Sequence, residues 1–365
     1  MEGEKLRVLM INNTKEENPS YVMRNKIVGI ALEKLGHEVS YESQAFNVDI
    51  DDYDVFVFSR FYEGTLLKHI SFLKSIGKII IYETDDNYEG IDENNPFMKI
   101  KDNAVLSSRE LIKLADGITV STPELQAEIN NFYPDKKIYV VPNALDFTQY
   151  KKRKGGNKKL RIGFQGSNIH VQDLLMVIDG VAELQKEYGF EFYIFGIDDR
   201  PFKELNKFCL ERKESWKWME DFPKLYEKLE QMEYTHIKTV PYEDYRDKLS
   251  ELNLDIGIAP LIDSRFNRAK SCLKFYEYAA VGTVTLASKV IPYTLEMDDC
   301  DIVKNRHDKW VNKLRKLIVD AEYRQIRKSE QEEWVRYNRD IEKIAKNWEK
   351  VIYNIKNHEK NIIGR

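Results

Sequence analysis

The stretch from Ala259 to Tyr293, APLIDSRFNRAKSCLKFYEYAAVGTVTLASKVIPY, concentrates residues able to hold an anion and a pair of hydroxyls. Ser271, Lys274 and Glu277 recur every three residues, the spacing that brings side chains onto one side of a helix. Ser271 is a good N-cap and Gly282 a good residue for the left-handed turn that ends a helix, so the pattern predicts a helix over 271–281. Unpaired N–H groups at its start, preceded by Arg265, Arg268 and Lys270, make a seat for a diphosphate. Lys274 and Arg265 are the candidates for neutralising a diphosphate leaving group. Glu277 is either a ribose ligand, because a carboxylate accepts well from paired hydroxyls, or a surface carboxylate paired with Lys274 or Lys270.

Three other places could carry chemistry. Glu83-Thr84-Asp85-Asp86-Asn87 follows an apolar run, and its acids could act as a general base, orient an acceptor hydroxyl, bind a metal or simply face solvent. Arg60 is placed to salt-bridge them, while Asn12, Asn13, Tyr21 and Arg24 flank the loop after the first strand and are expected to face a cleft. Gly163-x-x-Gly166-Ser167 allows close approach of backbone to phosphate, with His170 beside it as a ligand or a structural hydrogen-bonder. Neither half has a full G-x-G-x-x-G or a Walker sequence, which argues against hydride transfer and P-loop ATP hydrolysis.

These residues need elements to hold them. Short apolar runs alternate with helical stretches through both halves of the chain, the pattern of parallel sheets covered by helices. Strands are expected at 6–11, 37–41, 53–58, 78–82, 117–120, 138–141, 160–164, 190–195, 237–240, 254–259 and 302–303. In such sheets ligands sit beyond the carboxyl ends of the strands, where all the residues above fall. The pattern lapses between Asp146 and Leu160 into DFTQYKKRKGGNKKL, whose basic residues could touch an anionic membrane or nucleic acid or form a solvated linker. The expected division is an acceptor-binding domain over 1–148, joined by a C-terminal helix at 340–365, a linker at 149–159, and a second domain over 160–339. Within the second domain, 197–235 is an aromatic-rich insert containing Phe202, Phe208, Trp216, Trp218, Phe222, Tyr226 and Tyr234.

Bulk properties narrow the class further. At about 150 residues per domain, 365 residues give two domains and room for a cleft between them. No apolar run approaches the roughly 20 residues of a membrane span, and 32% charged residues point to a cytoplasmic location. A formal charge of −4 leaves no global footprint for nucleic acid. Cys209, Cys272 and Cys300 are scattered and odd in number, so neither a disulfide framework nor a zinc site is expected.

The second half resembles nucleotide-sugar glycosyltransferases of the two-Rossmann, GT-B type, close to glycosyltransferase family 4 (group 1). The resemblance is carried by S-x-x-K-x-x-E-Y-x-A-x-G at Ser271 to Gly282, with Ser288 and Pro292-Tyr293, and by GFQGSNIHVQDL, YIFG and DIGIAPL. In the first half YETDD, ADGITVST and VVPNALD match as well. It implies an α/β chain of two doubly wound domains with a cleft between them and a C-terminal helix crossing back to the first. It implies a retaining, metal-independent transfer of a sugar from a UDP- or GDP-linked donor, a co-substrate rather than a cofactor, to a hydroxyl of a glycan, lipid or protein. Glu277 would bind the ribose. Lys270, Ser271 and Cys272 would hold the diphosphate and sugar, Gly166 and Ser167 would approach the phosphates, and Asp85, Asp86 and Lys270 would act at the reaction centre. Two departures stand out. Ala269 occupies the position where many members have a second glutamate, leaving the donor sugar to neighbours such as Asn267 or Lys270. The basic pair usual after the first strand of the second domain is replaced by Ser167, Asn168 and His170, so the phosphate role falls to Arg265, Lys270 or Lys274. A transferase acting on nucleic acid or protein and a non-catalytic sugar-nucleotide-binding protein are the alternatives.

Overall fold

The computed structural model describes residues 5–12, 18–42, 48–60, 64–93, 95, 98, 100–197 and 220–363. Among these, twelve strands form two six-stranded sheets, and every pairing between named strands is parallel. The first sheet contains β1 (Arg7–Asn12), β2 (Glu38–Glu42), β3 (Val55–Ser59), β4 (Ile79–Thr84), β5 (Gly117–Val120) and β6 (Ile138–Val140), in the order β2-β1-β3-β4-β5-β6. The second contains β7 (Arg161–Gln165), β8 (Glu191–Phe195), β9 (Tyr234–Ile237), β10 (Ile256–Ala259), β11 (Val284–Ser288) and β12 (Ile302–Val303), in the order β12-β11-β10-β7-β8-β9. Counted from β7, that second order is the 3-2-1-4-5-6 of a Rossmann domain, with its switch point between β7 and β10. The first sheet switches between β1 and β3. Strands such as VFVFS and IIIYET are buried at every position, as sheets covered on both faces require.

The first sheet is flanked by α1 (Ile27–Lys34), α2 (Gly64–Ser75), α3 (Lys101–Leu114) and α4 (Pro123–Phe132). Thr122 caps α4, its Oγ1 accepting from the Leu125 N–H, with Pro123 in the first turn as the sequence predicts. The second sheet carries α5 (Val171–Leu175), α6 (Ile178–Tyr188), α7 (Asp221–Leu229), α8 (Tyr242–Glu251), α9 (Leu273–Val281), α10 (His307–Val319) and α11 (Ala321–Asn338). The last helix, α12 (Ile341–Ile363), crosses back to pack on α1 and β4. Its buried face holds Ile344, Ala345, Trp348, Ile352 and Ile355, and Ile355 lies so close to Gly117 that a Cβ there would come within 2.3 Å of it.

One strand expectation is corrected, and two helical tracts divide. The helical stretch from Val171 to Tyr188 is two helices that break at Met176 and Val177. The strand predicted at 237–240 lies at Tyr234–Ile237. The long helical tract beyond Glu322 divides at Arg339 and Asp340, where Leu145 bridges to Asp340. Of the aromatic insert, α7 and the residues from Glu220 onward are described, whereas Phe202, Phe208, Trp216 and Trp218 lie outside the described residues.

Arg24 was expected on the acceptor side of the cleft. It is instead 1% exposed, and its Nε donates to Glu83 Oε1 at 2.7 Å. Its Nη1 donates to Val141 O and Asn143 Oδ1, and its guanidinium lies 5.7 Å from the Trp348 ring centroid. The residue ties β4, the end of β6 and α12 together through Nε, Nη1 and the ring contact, while its Nη2 has no partner among the described residues. Arg24→Ala should therefore lower unfolding stability by about 3–5 kcal/mol, since it leaves the buried Glu83 carboxyl, Val141 O and Asn143 Oδ1 without their donor. The Arg24→Leu/Glu83→Leu pair should recover most of that loss. Urea unfolding midpoints of the three proteins provide the check.

Candidate active site

The carboxyl ends of the two sheets face one another across a cleft of about 420 Å³. The second half supplies Gln165, Gly166 and Ser167 after β7, Gly196 after β8, Tyr245 from α8, and Lys270, Ser271, Lys274 and Glu277 around the start of α9. The first half supplies Ser20, Asp85, Asp86 and Asn143. The topology therefore brings nine of the sequence-selected residues together: Asp85, Asp86, Gly166, Ser167, His170, Lys270, Ser271, Lys274 and Glu277.

Helix α9 begins at Leu273, two residues later than its spacing predicts. Ser271 does not cap it, because its Oγ accepts from Asn143 Nδ2 at 2.8 Å, and Cys272 takes the N-cap position without a side-chain hydrogen bond. The C-terminal prediction holds, with Gly282 in the left-handed region at φ 80°. The first N–H groups of α9 have no acceptor within the helix, and Ser271, Leu273 and Lys274 bring that end to the cleft wall.

Glu277 is buried rather than a surface carboxylate. Its Oε2 accepts from Tyr245 Oη at 2.8 Å and from Gln165 Nε2 at 3.3 Å, and its Oε1 has no partner among the described residues. Burial pushes its carboxyl up to about 7, against the pull of the Tyr245 hydrogen bond and Lys274. Tyr245 is stacked between Phe195 and Tyr242, with ring centroids at 5.3 and 5.5 Å, which fixes its hydroxyl. Burial also lowers Lys270 and brings Lys274 down to about 8. Lys274 Nζ lies 3.0 Å from His170 Nε2, and His170 Nδ1 lies 2.7 Å from Asp173 Oδ2.

On the opposite wall, burial and the neighbouring Asp85 push Asp86 up to about 6, and Asp85 Oδ1 is buried without a partner among the described residues. Arg60 stands behind this pair, 3.6 Å from Asp86 Oδ2. Its backbone is in the left-handed region at φ 74°, with its N–H donating to Glu83 O. It supports Asp86 as the sequence implied, from a position outside the cleft lining. The three-acid metal reading loses one member, because Glu83 belongs to Arg24. Among the described residues, Asp298, Cys300 and Asp301 are also within common ligand reach, but Arg327 pairs with both aspartates.

Three candidates are placed elsewhere. Arg265 is half-exposed and bound by Glu128 at 2.6 Å, with Phe132 beneath it, so its charge is committed away from the cleft. Asn267 donates to Ile262 O and lines a neighbouring polar cavity of about 70 Å³ that it shares with Lys270 and Asp173. The thiol of Cys272 is wholly buried in the core, leaving only backbone to reach a ligand. Asn13 lies outside the described residues. Sequence reasoning missed Gln165, Asp173, Asn143 and Tyr245. The first three sit inside the quoted segments as ordinary polar residues, and nothing in the helical pattern of α8 distinguishes Tyr245.

Two facing Rossmann-like domains, a deep cleft and a C-terminal helix returning to the first domain define a GT-B fold. Solved structures share it: sucrose-phosphate synthase from Thermosynechococcus elongatus superposes with a TM-score of 0.70 at 10% identity, covering 96% of this chain and 99% of that one. HepE of Anabaena, solved with UDP and glucose, gives 0.66 at 10% identity over 95% and 99%. An α-glucosyltransferase solved with UDP and a 13-mer DNA gives 0.67 at 12% identity over 97% and 100%. No protein-family model and no curated protein sequence matches the chain. At these identities the likeness defines the fold.

The buried state of Glu277 has a measurable consequence without any ligand. Its carboxyl is raised from 4.5 to about 7, so the stability it contributes is complete below pH 4.5 and is lost as pH rises to 7. Glu277→Gln should match the wild type near pH 4.5 and exceed it by about 1–3 kcal/mol at pH 8. Melting curves across that range provide the check.

Proposed function

We propose that the protein is a nucleotide-sugar glycosyltransferase that moves a sugar from a nucleoside-diphosphate donor to an acceptor hydroxyl, with retention and without a metal, in the manner of glycosyltransferase family 4. The observation that carries this reading is the order of unmet needs across the cleft. At one end Glu277 Oε1 lacks a donor, in the middle lie Lys270, Lys274 and the start of α9, and at the far wall Asp85 Oδ1 lacks a donor. A ligand set that meets all three carries hydroxyls, then negative charge, then a hydroxyl. Ribose, diphosphate and acceptor hydroxyl come in that sequence.

Each group then has a task. Glu277 accepts from the ribose diol while Tyr245 and Gln165 hold its other oxygen. The amides at the start of α9, Ser167 and the backbone at Gly166 receive the phosphates. Lys270 and Lys274 stabilise the charge that builds on the departing diphosphate, the task a metal would otherwise perform. Asp85 and Asp86 accept from the incoming hydroxyl and orient it toward the anomeric carbon, with Arg60 keeping Asp86 in place. The donor is bound mainly by the second domain and the acceptor by the first, and the cleft excludes water so that transfer prevails over hydrolysis. Retention is carried over from the sequence resemblance. The domain limits 1–148 and 160–339, joined by 149–159, remain part of this proposal, as do a cytoplasmic location and a glycan, lipid or protein acceptor. Within the linker, Lys151, Lys152 and Arg153 pair with Asp247, Glu332 and Asp255, which favours a structural role over capture of nucleic acid or membrane.

Calorimetry with UDP- and GDP-sugars tests the proposal. One of them should bind, and Glu277→Ala should weaken it by about tenfold or more, the loss of roughly 1.4 kcal/mol or more, with the fold intact. Affinity should rise with pH through about 7 as Glu277 ionises and fall above about 8 as Lys274 loses its proton. Asp85→Ala and Asp86→Ala should bind donor like the wild type but lose release of nucleoside diphosphate, and a chelator should leave wild-type release unchanged. Wild-type turnover in both aspartate variants would remove them from the site.

A further inference from the structure

The loop after β7 lacks the basic residues that the sequence resemblance leads one to expect, and a buried chain of contacts stands there instead. The Ile262 N–H donates to Asp173 Oδ1 at 2.7 Å, Asp173 Oδ2 meets His170 Nδ1 at 2.7 Å, and His170 Nε2 meets Lys274 Nζ at 3.0 Å. We propose that His170 and Asp173 form a positioning pair that aims Lys274 at the donor diphosphate, moving the phosphate-binding charge from the loop after β7 to helix α9. This rests on the nucleotide-sugar reading above.

The chemistry of each group fixes the direction of the chain. Asp173 is 3% exposed and accepts at both oxygens, so the proton of a neutral His170 belongs on Nδ1. That leaves Nε2 as an acceptor, and an ammonium, which only donates, is its natural partner. One N–H of Lys274 is thereby anchored, and the remaining ones are free to face the cleft that the lysine lines. The Phe164 ring, 6.0 Å away, limits the lysine on another side.

A lysine or arginine in place of His170 would be a third cation beside Lys270 and Lys274 in a confined space. Imidazole avoids this, because burial first and Lys274 second hold it down at about 3, neutral at working pH. The charged groups facing Lys274 are otherwise Asp173, Lys270 and Glu277. Space for the imidazole comes from Gly166, where a Cβ would approach His170 Cδ2 and Cβ to 3.1 and 3.2 Å. The glycine of the phosphate loop thus serves His170 as well as the ligand.

A double-mutant cycle tests the pair, using whichever of UDP and GDP binds the wild type more tightly. His170→Leu should lower that affinity about tenfold, His170→Gln, which keeps an acceptor toward Lys274, should stay within about threefold, and His170→Leu should add less than about twofold in a Lys274→Ala background. Unchanged affinity in His170→Leu, or equal losses in both backgrounds, would overturn the proposal. A ligand-free measurement separates it from the functional reading: by NMR, His170 should stay neutral down to pH 5 in the wild type, and its titration should move upward in Lys274→Ala. No movement overturns the pair, whereas failure of the wild type to bind UDP, GDP or their sugars overturns the nucleotide-sugar reading.

Discussion

The amide of Asn143 accepts at one end and donates at the other, and in this fold both ends are committed. Arg24 can only donate, so it fixes Oδ1 toward the first domain, and Nδ2 must then point across the cleft to Ser271 Oγ. A buried ion pair of the first domain is thereby linked through Asn143 to the residue just before a helix of the second. The Ser271 hydroxyl accepts from Asn143 rather than from an α9 amide, the helix starts at Leu273, and its first turn lies at the cleft wall. Asn143 thus joins the start of α9 to the wall that carries Asp85 and Asp86.

Contacts on either side keep the halves in register. Thr122 Oγ1 donates to Ala269 O at 2.7 Å while capping α4, Phe266 lies in a cluster with Tyr88, Ile91, Ala104 and Val105, and Arg265 reaches Glu128. This explains the absent acid at position 269. Ala269 is 1% exposed and packs with the core of the first domain, where a carboxylate would be desolvated without a partner. The loop that elsewhere could contact a donor sugar is used here as a joint, and Lys270, at the end of that joint, is its member on the cleft wall.

The fold was legible in the sequence wherever a physical rule acts locally. Alternating apolar runs gave both sheets, Thr122-Pro123 marked the start of α4, and Gly282 marked the end of α9, because each depends only on neighbouring backbone. The site was legible to the extent that strand ends must gather at a switch point, which is why Gly166, Lys274, Glu277, Asp85 and Asp86 meet. What could not be read is competition over distance. Ser271 has the right chemistry for a cap, but Asn143, 128 residues away, takes its hydroxyl. Arg265 and Arg24 look like free cations until Glu128 and Glu83 are found beside them. Tyr245 matters only because Phe195 and Tyr242 stack on it, which no helical periodicity encodes.

Each domain buries a glutamate with one oxygen bound and the other without a partner among the described residues, and the two differ in where that carboxylate lies. In the first domain Glu83 Oε1 accepts from Arg24 away from the cleft lining, its Oε2 has no partner among the described residues, and the next two acids, Asp85 and Asp86, line the cleft. In the second, Glu277 likewise keeps one oxygen without a partner among the described residues and Lys274 meets His170, but both line the cleft, arrangements that cost stability. An unpaired carboxylate and a partly desolvated lysine gain most from a ligand, since water has already been removed from them. Glu277 and Lys274 line the cleft whereas Glu83 and Arg24 do not, so only the former pair stands where a ligand could meet its unfilled hydrogen bonds.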